Sequence, residues 1–264
     1  MNNIYMPERG EILSIVQESS IEWLFKVKTT IKPLAGQFIQ LSIPMVGEAP
    51  ISVADCNHEE GWIEFLIRKV GKVTDAVFNL KPGDSIFLRG AYGNSFPMDT
   101  YKGKRVIVVA GGSGTAPVRP LIKQLIDDKE TDIELIFGFK DQDSILFKKE
   151  IDTWRKKAPM ILTVDKGCGI DGECVGLVTE YIPHLRLHDG FDNLEVVIVG
   201  PPMMMKYSAL EFLKLGIPEE KIWVSFERNM SCAVGKCGHC KIDETYVCLE
   251  GPIFNYVKAK KLLD

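Results

Sequence analysis

No apolar run in this chain is long enough for a helix to cross a bilayer, so a membrane span is not expected. There is no internal repeat and no low-complexity linker. Positive charge is not in excess: 32 Lys and Arg face 36 Asp and Glu, for a net charge of −4 and a pI near 5.7. With no basic stripe, nucleic acid is not an expected partner. No charged-then-apolar secretory segment precedes the first strand pattern. Cysteine is sparse and odd in number, seven in 264 residues, which is not the density of a disulfide scaffold. A reducing cytoplasm is the compartment these absences suggest. What remains is an ordinary globular composition, 45% hydrophobic and 26% charged, on a chain long enough for two domains and a small appendage.

Four of the cysteines crowd into one segment near the end: Cys232, Cys237, Cys240 and Cys248, spaced C-x4-C-x2-C-x7-C. The first three follow the plant-type iron–sulfur spacing, with a more distant fourth. Ala233, Gly235 and Gly238 lie between them. Small residues allow the close backbone approach that a cluster needs, with N–H groups aimed at sulfur. Structural zinc is a second reading, although zinc ribbons use two C-x2-C pairs and this chain has one. Disulfides are a third. C-G-H-C is not the haem-attachment signature, and His239 is expected in solvent. Cys56, Cys168 and Cys174 are expected as buried free thiols.

The first hundred residues read as strands. Ile21, Trp23, Phe25 and Val27 alternate with Glu22, Leu24, Lys26 and Lys28, a period of two. Further strands are expected over 11–16, 37–43, 61–68 and 85–89, separated by Lys32-Pro33, the segment 57–61 and Lys81-Pro82-Gly83-Asp84. Many short strands with such breaks predict a small antiparallel barrel. A helix over 73–80 interrupts it, opening after Gly71. Ala49-Pro50-Ile51-Ser52 reads as the start of a strand whose hydroxyl is available to a cofactor. RKVGKVT (68–74) leads into the helix, where first-turn N–H groups and the Thr74 hydroxyl suit an anion; a plain helix cap fits the same residues.

The middle of the chain changes character. Arg105–Ala110 is a continuous apolar run, as in a parallel strand buried on both faces. Gly111-Gly112-Ser113-Gly114-Thr115-Ala116-Pro117 follows, then a helical pattern over 118–128. A strand, a glycine loop and a helix in that order commonly hold a phosphate, although this is not G-x-G-x-x-G. Strands over 133–139, 160–164, 194–199 and 221–225 alternate with helices over 146–156 and 203–215. Alternation of this kind predicts an open parallel sheet, with ligands at the carboxyl ends of its strands. Gly111–Thr115 and Gly200-Pro201-Pro202 occupy such ends. Met203-Met204-Met205 is expected as helix core and surface.

In this order, the three parts resemble the ferredoxin–NAD(P)H reductase-like family. Within it the chain is similar to electron-transfer subunits with an added C-terminal [2Fe–2S] loop. Those of dihydroorotate dehydrogenase, of sulfhydrogenase and of anaerobic sulfite reductase (its B subunit) share the pattern. The resemblance rests on GEAPISV (47–53), RKVGKVT, LRGAYGNSFP (88–97), AGGSGTAPV (110–118), VGPPMM (199–204), ERNMSCAVGKCGHC (227–240) and VCLEGPIFNY (247–256). GEAPISV and EGPIFNY favour the sulfite reductase subunit. The resemblance implies a flavin-binding β-barrel over 1–99, an NAD-binding α/β domain over 100–226 and an iron–sulfur segment over 227–264. It implies FAD held by Pro50, Ile51, Ser52, Arg68, Gly71, Lys72, Val73 and Thr74. It further implies NADH surrounded by Gly112, Gly114, Thr115, Gly200 and Pro201, and a [2Fe–2S] cluster on Cys232, Cys237, Cys240 and Cys248. Two departures stand out: Ala49 and Ile51 replace the Arg and Tyr of the family's R-x-Y-S, and Val199 replaces the Cys of its C-G-x-x.

The implied activity is that of the NADH-oxidising subunit of an anaerobic sulfite reductase. Electrons would run from NADH to FAD to [2Fe–2S], then to catalytic and iron–sulfur subunits of a heteromeric complex. Hydride transfer mainly needs aligned rings, so no acid or base is assigned. Alternatives are the corresponding subunit of dihydroorotate dehydrogenase or a sulfhydrogenase, a free-standing NADH:acceptor reductase, or a zinc-ribbon binding module. Asp141, Asp143 and Asp165, on expected adenosine-side loops, would repel a 2′-phosphate and favour NADH, with Lys140 acting the other way; solvated loop charges are the second reading of the same residues. Ile253, Phe254 and Tyr256 are candidates for a docking face beside the cysteine loop, or for simple packing of the C-terminal segment.

Overall fold

Period-two alternation in the first part of the chain folds as expected in the computed structural model, which describes residues 4–167, 173–187 and 191–262. Its strands are β1 (Glu8–Gln17), β2 (Glu22–Lys28), β3 (Phe38–Ile43), β4 (Gly47–Ser52), β5 (Asp55–Asn57), β6 (Trp62–Arg68) and β7 (Ser85–Tyr92), with helix α1 (Lys72–Val77) before β7. They form one antiparallel sheet in the order β4-β3-β7-β1-β2-β6-β5. β4 also packs against β6, which curls the sheet into a barrel. Ile12, Phe25, Val27, Ile39, Ile63 and Phe65 are fully buried inside it. Each such side chain contributes roughly 1.5–3 kcal/mol. Ile21, expected on this face, precedes β2 and is 39% exposed. Pro50, Ile51 and Ser52 end strand β4 rather than start one, because the chain reaches them through the β3–β4 hairpin.

The remaining elements are α2 (Met98–Tyr101), β8 (Arg105–Gly111), α3 (Thr115–Asp127), β9 (Asp132–Phe139), α4 (Lys148–Arg155), β10 (Met160–Val164), β11 (Cys174–Val175), α5 (Val178–Tyr181), β12 (Leu194–Val199), α6 (Pro202–Lys214) and β13 (Ile222–Ser225). After them come β14 (Lys241–Ile242), β15 (Thr245–Tyr246), α7 (Val247–Glu250), β16 (Ile253–Asn255) and α8 (Tyr256–Ala259). The second sheet runs β11-β10-β9-β8-β12-β13-β16, parallel except for β16. Val106–Ala110 is wholly buried at its centre. Strand order reverses between β8 and β12, the place where doubly wound sheets open a crevice for a ligand.

The chain divides into two compact units, residues 1–96 with 227–252 and residues 97–226 with 253–264. The cysteine loop therefore folds with the barrel, and the residues after it fold with the α/β sheet. Ile253, Phe254 and Tyr256 are 2%, 4% and 5% exposed. They pack the C-terminal segment and are not a docking face. No described helix is long and apolar enough to cross a membrane.

Candidate functional site

The cysteine loop supplies thiols and a ring of backbone donors. Val234, Lys236 and Cys237 direct their N–H groups at the Cys232 sulfur, Gly235 at Cys248 and His239 at Cys237. Gly235 sits at φ +70, a left-handed backbone that disfavours a side chain, and a Cβ there would also displace the exposed Leu249. The thiols associate in pairs, Cys232 with Cys237 and Cys240 with Cys248. Among the described residues no three such ligands converge as a single metal ion requires. The N–H groups aimed at these sulfurs are the hydrogen bonds that an iron–sulfur site uses, so the residues present fit such a cluster. Burial opposes ionisation of Cys232, but the donated N–H bonds outweigh it and bring the thiol down to about 7. Burial, then the bond with Cys240, pushes Cys248 up to about 12. Cys248 thus becomes a thiolate when a metal displaces its proton. His239 is exposed, as expected, with Nδ1 2.7 Å from the Ser231 hydroxyl.

Beneath the loop, the outer face of β3, β4 and β7 carries polar residues that sequence reasoning missed. Arg89, mid-strand in β7, is only 4% exposed. It donates to the Cys232 carbonyl at 2.8 Å, the Ser231 carbonyl at 3.1 Å, the Tyr92 hydroxyl at 2.9 Å and Glu48 Oε2 at 2.5 Å. Gln40, opposite Arg89 in the sheet, donates to the carbonyls of Met230 and Ser231 at 3.3 Å each. Glu48 also accepts from Ser42. Burial raises its pKa, but the hydrogen bonds and charge of Arg89, with Ser42, hold it below the ordinary value. The one sequence signal was Arg89 itself, a cation inside an apolar strand pattern.

The flavin-side residues are brought together in part. α1 packs against β4, with Val73 reaching Gly47. Pairing places Pro50 and Ser52 opposite Gln40 and Phe38, and Ile51 opposite the core residue Ile39. Ile51 packs on the barrel core, while the half-buried Ser52 hydroxyl makes no hydrogen bond among the described residues. The Thr74 hydroxyl accepts from the N–H groups of Val70 and Gly71 and donates to the Gly71 carbonyl. From the N3 position of α1 it caps the backbone at Gly71, so it is occupied by the chain itself, while Lys72 makes no ion pair among the described residues. Arg68 is paired with Glu22 at 3.5 Å.

At the nucleotide end, the two glycine loops meet. A Cβ on Gly114 would lie 2.6 Å from the Val199 carbonyl oxygen, and one on Gly200 would lie 2.7 Å from the Met204 Cε. Gly112 faces open space, and Pro201 is exposed beside it at the carboxyl ends of β8 and β12. Thr115 is buried and its hydroxyl donates to the Gly112 carbonyl, so it shapes the loop. Of the methionines, Met205 is buried and Met203 exposed, as expected. Asp141 and Asp165 follow the adjacent strand ends, and burial, then Asp141, raises the pKa of Asp165. Cys56 and Cys174 are partly exposed rather than buried, because both lie on edge strands. Cys168 lies outside the described residues.

Comparison with known proteins agrees with this layout. Residues 14–96 match an oxidoreductase FAD-binding domain. Residues 108–209 match an oxidoreductase NAD-binding domain. Residues 227–260 match the iron–sulfur cluster binding domain of dihydroorotate dehydrogenase B. The chain is 35% identical to the sulfhydrogenase 1 subunit gamma of Pyrococcus furiosus, over 100% of this chain and 96% of the relative. It is 34% identical to that organism's probable dihydroorotate dehydrogenase B electron transfer subunit, over 91% of this chain and 85% of the relative. Among solved structures, an NADH-dependent reduced ferredoxin–NADP oxidoreductase superposes with a TM-score of 0.79 at 26% identity, covering 96% of this chain and 92% of that one. A Neisseria gonorrhoeae ferredoxin NADP+ reductase, at 17% identity and a TM-score of 0.72 over 83% of this chain and 97% of that one, shares the fold.

Proposed function

The chain belongs to the ferredoxin–NAD(P)H reductase-like family of electron-transfer subunits with FAD-binding, NAD-binding and iron–sulfur domains, and from that premise we propose that it oxidises NADH for a partner enzyme. When bound, the cofactors supply hydride acceptance from nicotinamide by the flavin and one-electron transfer through the cluster. The protein's part is positioning. Cys232, Cys237, Cys240 and Cys248 hold the cluster. Pro50, Ser52 and the first turn at Lys72 and Val73 bind the flavin, with Arg68, Gly71 and Thr74 shaping that turn and Ile51 backing it. Gly112, Gly114, Gly200 and Pro201 form the nicotinamide cradle, and Thr115 holds its loop. Asp141, Asp143 and Asp165 disfavour a 2′-phosphate, which favours NADH. A cytoplasmic setting keeps the thiols reduced.

The observation that carries the reading is the paired-thiol loop, supplied with N–H donors and seated on the barrel that matches an FAD-binding domain. The relatives favour a complex of the sulfhydrogenase or dihydroorotate dehydrogenase type. Sulfite as the final acceptor is the second reading, favoured by GEAPISV and EGPIFNY. Neither relative is a sulfite reductase subunit, so those segments weigh less than the relatives. Low-temperature electron paramagnetic resonance on anaerobically purified protein tests the relay. A reduced [2Fe–2S] signal on adding NADH is expected. A sample containing flavin that gives no signal with NADH sinks the proposal. Subunits that co-purify with the chain then identify the acceptor enzyme.

A further inference from the structure

Three successive carbonyls of the cysteine loop, those of Met230, Ser231 and Cys232, are held by side chains of the barrel. Gln40 takes the first two and Arg89 the last two. With these carbonyls turned into the sheet, the amides that follow, at Val234, Lys236 and Cys237, turn toward the Cys232 sulfur. Neutral donors, as Gln40 is, would satisfy these buried carbonyls without a charge. Instead, the guanidinium of Arg89 meets the carbonyl of the first cysteine, and it is paired with one carboxylate, Glu48. Arg89 spends its donor fork on five acceptors, two of them Glu48 oxygens and two of them loop carbonyls. Glu48 lies on β4, two residues before Pro50 on the flavin-side strand.

We propose that Arg89 is a positioning residue for the cysteine loop, and that the Arg89–Glu48 pair sets the electron affinity of the group the loop holds. This rests on the loop being a [2Fe–2S] site. A cation fixed beside a thiolate ligand favours the reduced state, which carries one more negative charge, and a nearby anion disfavours it. Hydrogen bonds and local charge are the main protein controls on such a potential. Arg89 acts through the Cys232 peptide and Glu48 acts through Arg89, so neither is a ligand.

The test uses the full chain purified anaerobically, with iron analysis and a redox titration followed by electron paramagnetic resonance. Arg89→Gln is expected to lower the midpoint potential and Glu48→Gln to raise it. Arg89→Lys keeps the charge but loses the fork. It is expected to hold its potential near wild type while losing iron to a chelator roughly tenfold faster, as outer-shell changes do. Wild-type protein without iron would sink the cluster reading itself. Iron-loaded wild type with an unmoved midpoint in Glu48→Gln, or a downward shift there, would overturn the present inference even if Arg89→Gln failed to fold. Arg89→Lys protein that keeps its iron as wild type does would overturn the positioning role.

Discussion

Single atoms decide the chemistry in each of the two units of this chain. Cys248 is buried and its thiol is held protonated by burial and by Cys240 until metal arrives. Cys248→Ser should lose iron at least as severely as the ~10–100-fold weakening that follows loss of an outer-shell partner. Cys56→Ser, at the edge of the barrel, should retain it; equal iron in both proteins would show that Cys248 is not a ligand. At the nucleotide end, Gly114 abuts backbone that cannot swing away, the Val199 carbonyl. Gly114→Ala should cost roughly 1–3 kcal/mol of stability through overpacking and raise the KM for NADH. A thermal melt and steady-state kinetics check both, and an unchanged melt would mean that the β8 and β12 loops are not in close contact.

At the level of elements, much was legible. The period-two pattern located the barrel strands, and the apolar run before a glycine loop located β8, because burial on one face or two writes a different periodicity into the chain. The expected helix over 73–80 is α1, ending earlier at Val77. Its Thr74 illustrates an ambiguity that sequence cannot resolve: a hydroxyl at a helix start reads alike whether it meets a ligand or its own backbone. Here three backbone bonds occupy it. Thr74→Val should destabilise the barrel unit by about 1 kcal/mol, since it removes the N3 side chain that satisfies the backbone at the start of α1. Chemical denaturation would show it, and a change confined to FAD affinity would show instead that the hydroxyl faces the cofactor.

For the whole molecule, the C-terminal twelve residues belong to the α/β unit although they follow the cysteine loop in sequence. Truncation after Pro252 removes β16 and the buried Ile253, Phe254 and Tyr256. That loss is on the order of 5 kcal/mol, comparable with the net stability of a domain. NADH binding should fail while iron stays on the loop, which folds with the other unit. Truncated protein that binds NADH normally would contradict this division of the chain.

The sequence by itself determined what short-range spacing can encode: four thiols within one loop, a strand that runs into a glycine turn, and the order of barrel, nucleotide domain and cluster segment. These follow from local rules of ligand spacing and backbone freedom. The tertiary structure alone decided which residues lie beneath the loop. Arg89, Glu48 and Gln40 stand on three different strands, and Ser231 and Cys232 are more than 140 positions from Arg89. Only the sheet order β4-β3-β7 sets those strands side by side, and only the loop's cover buries the guanidinium among them.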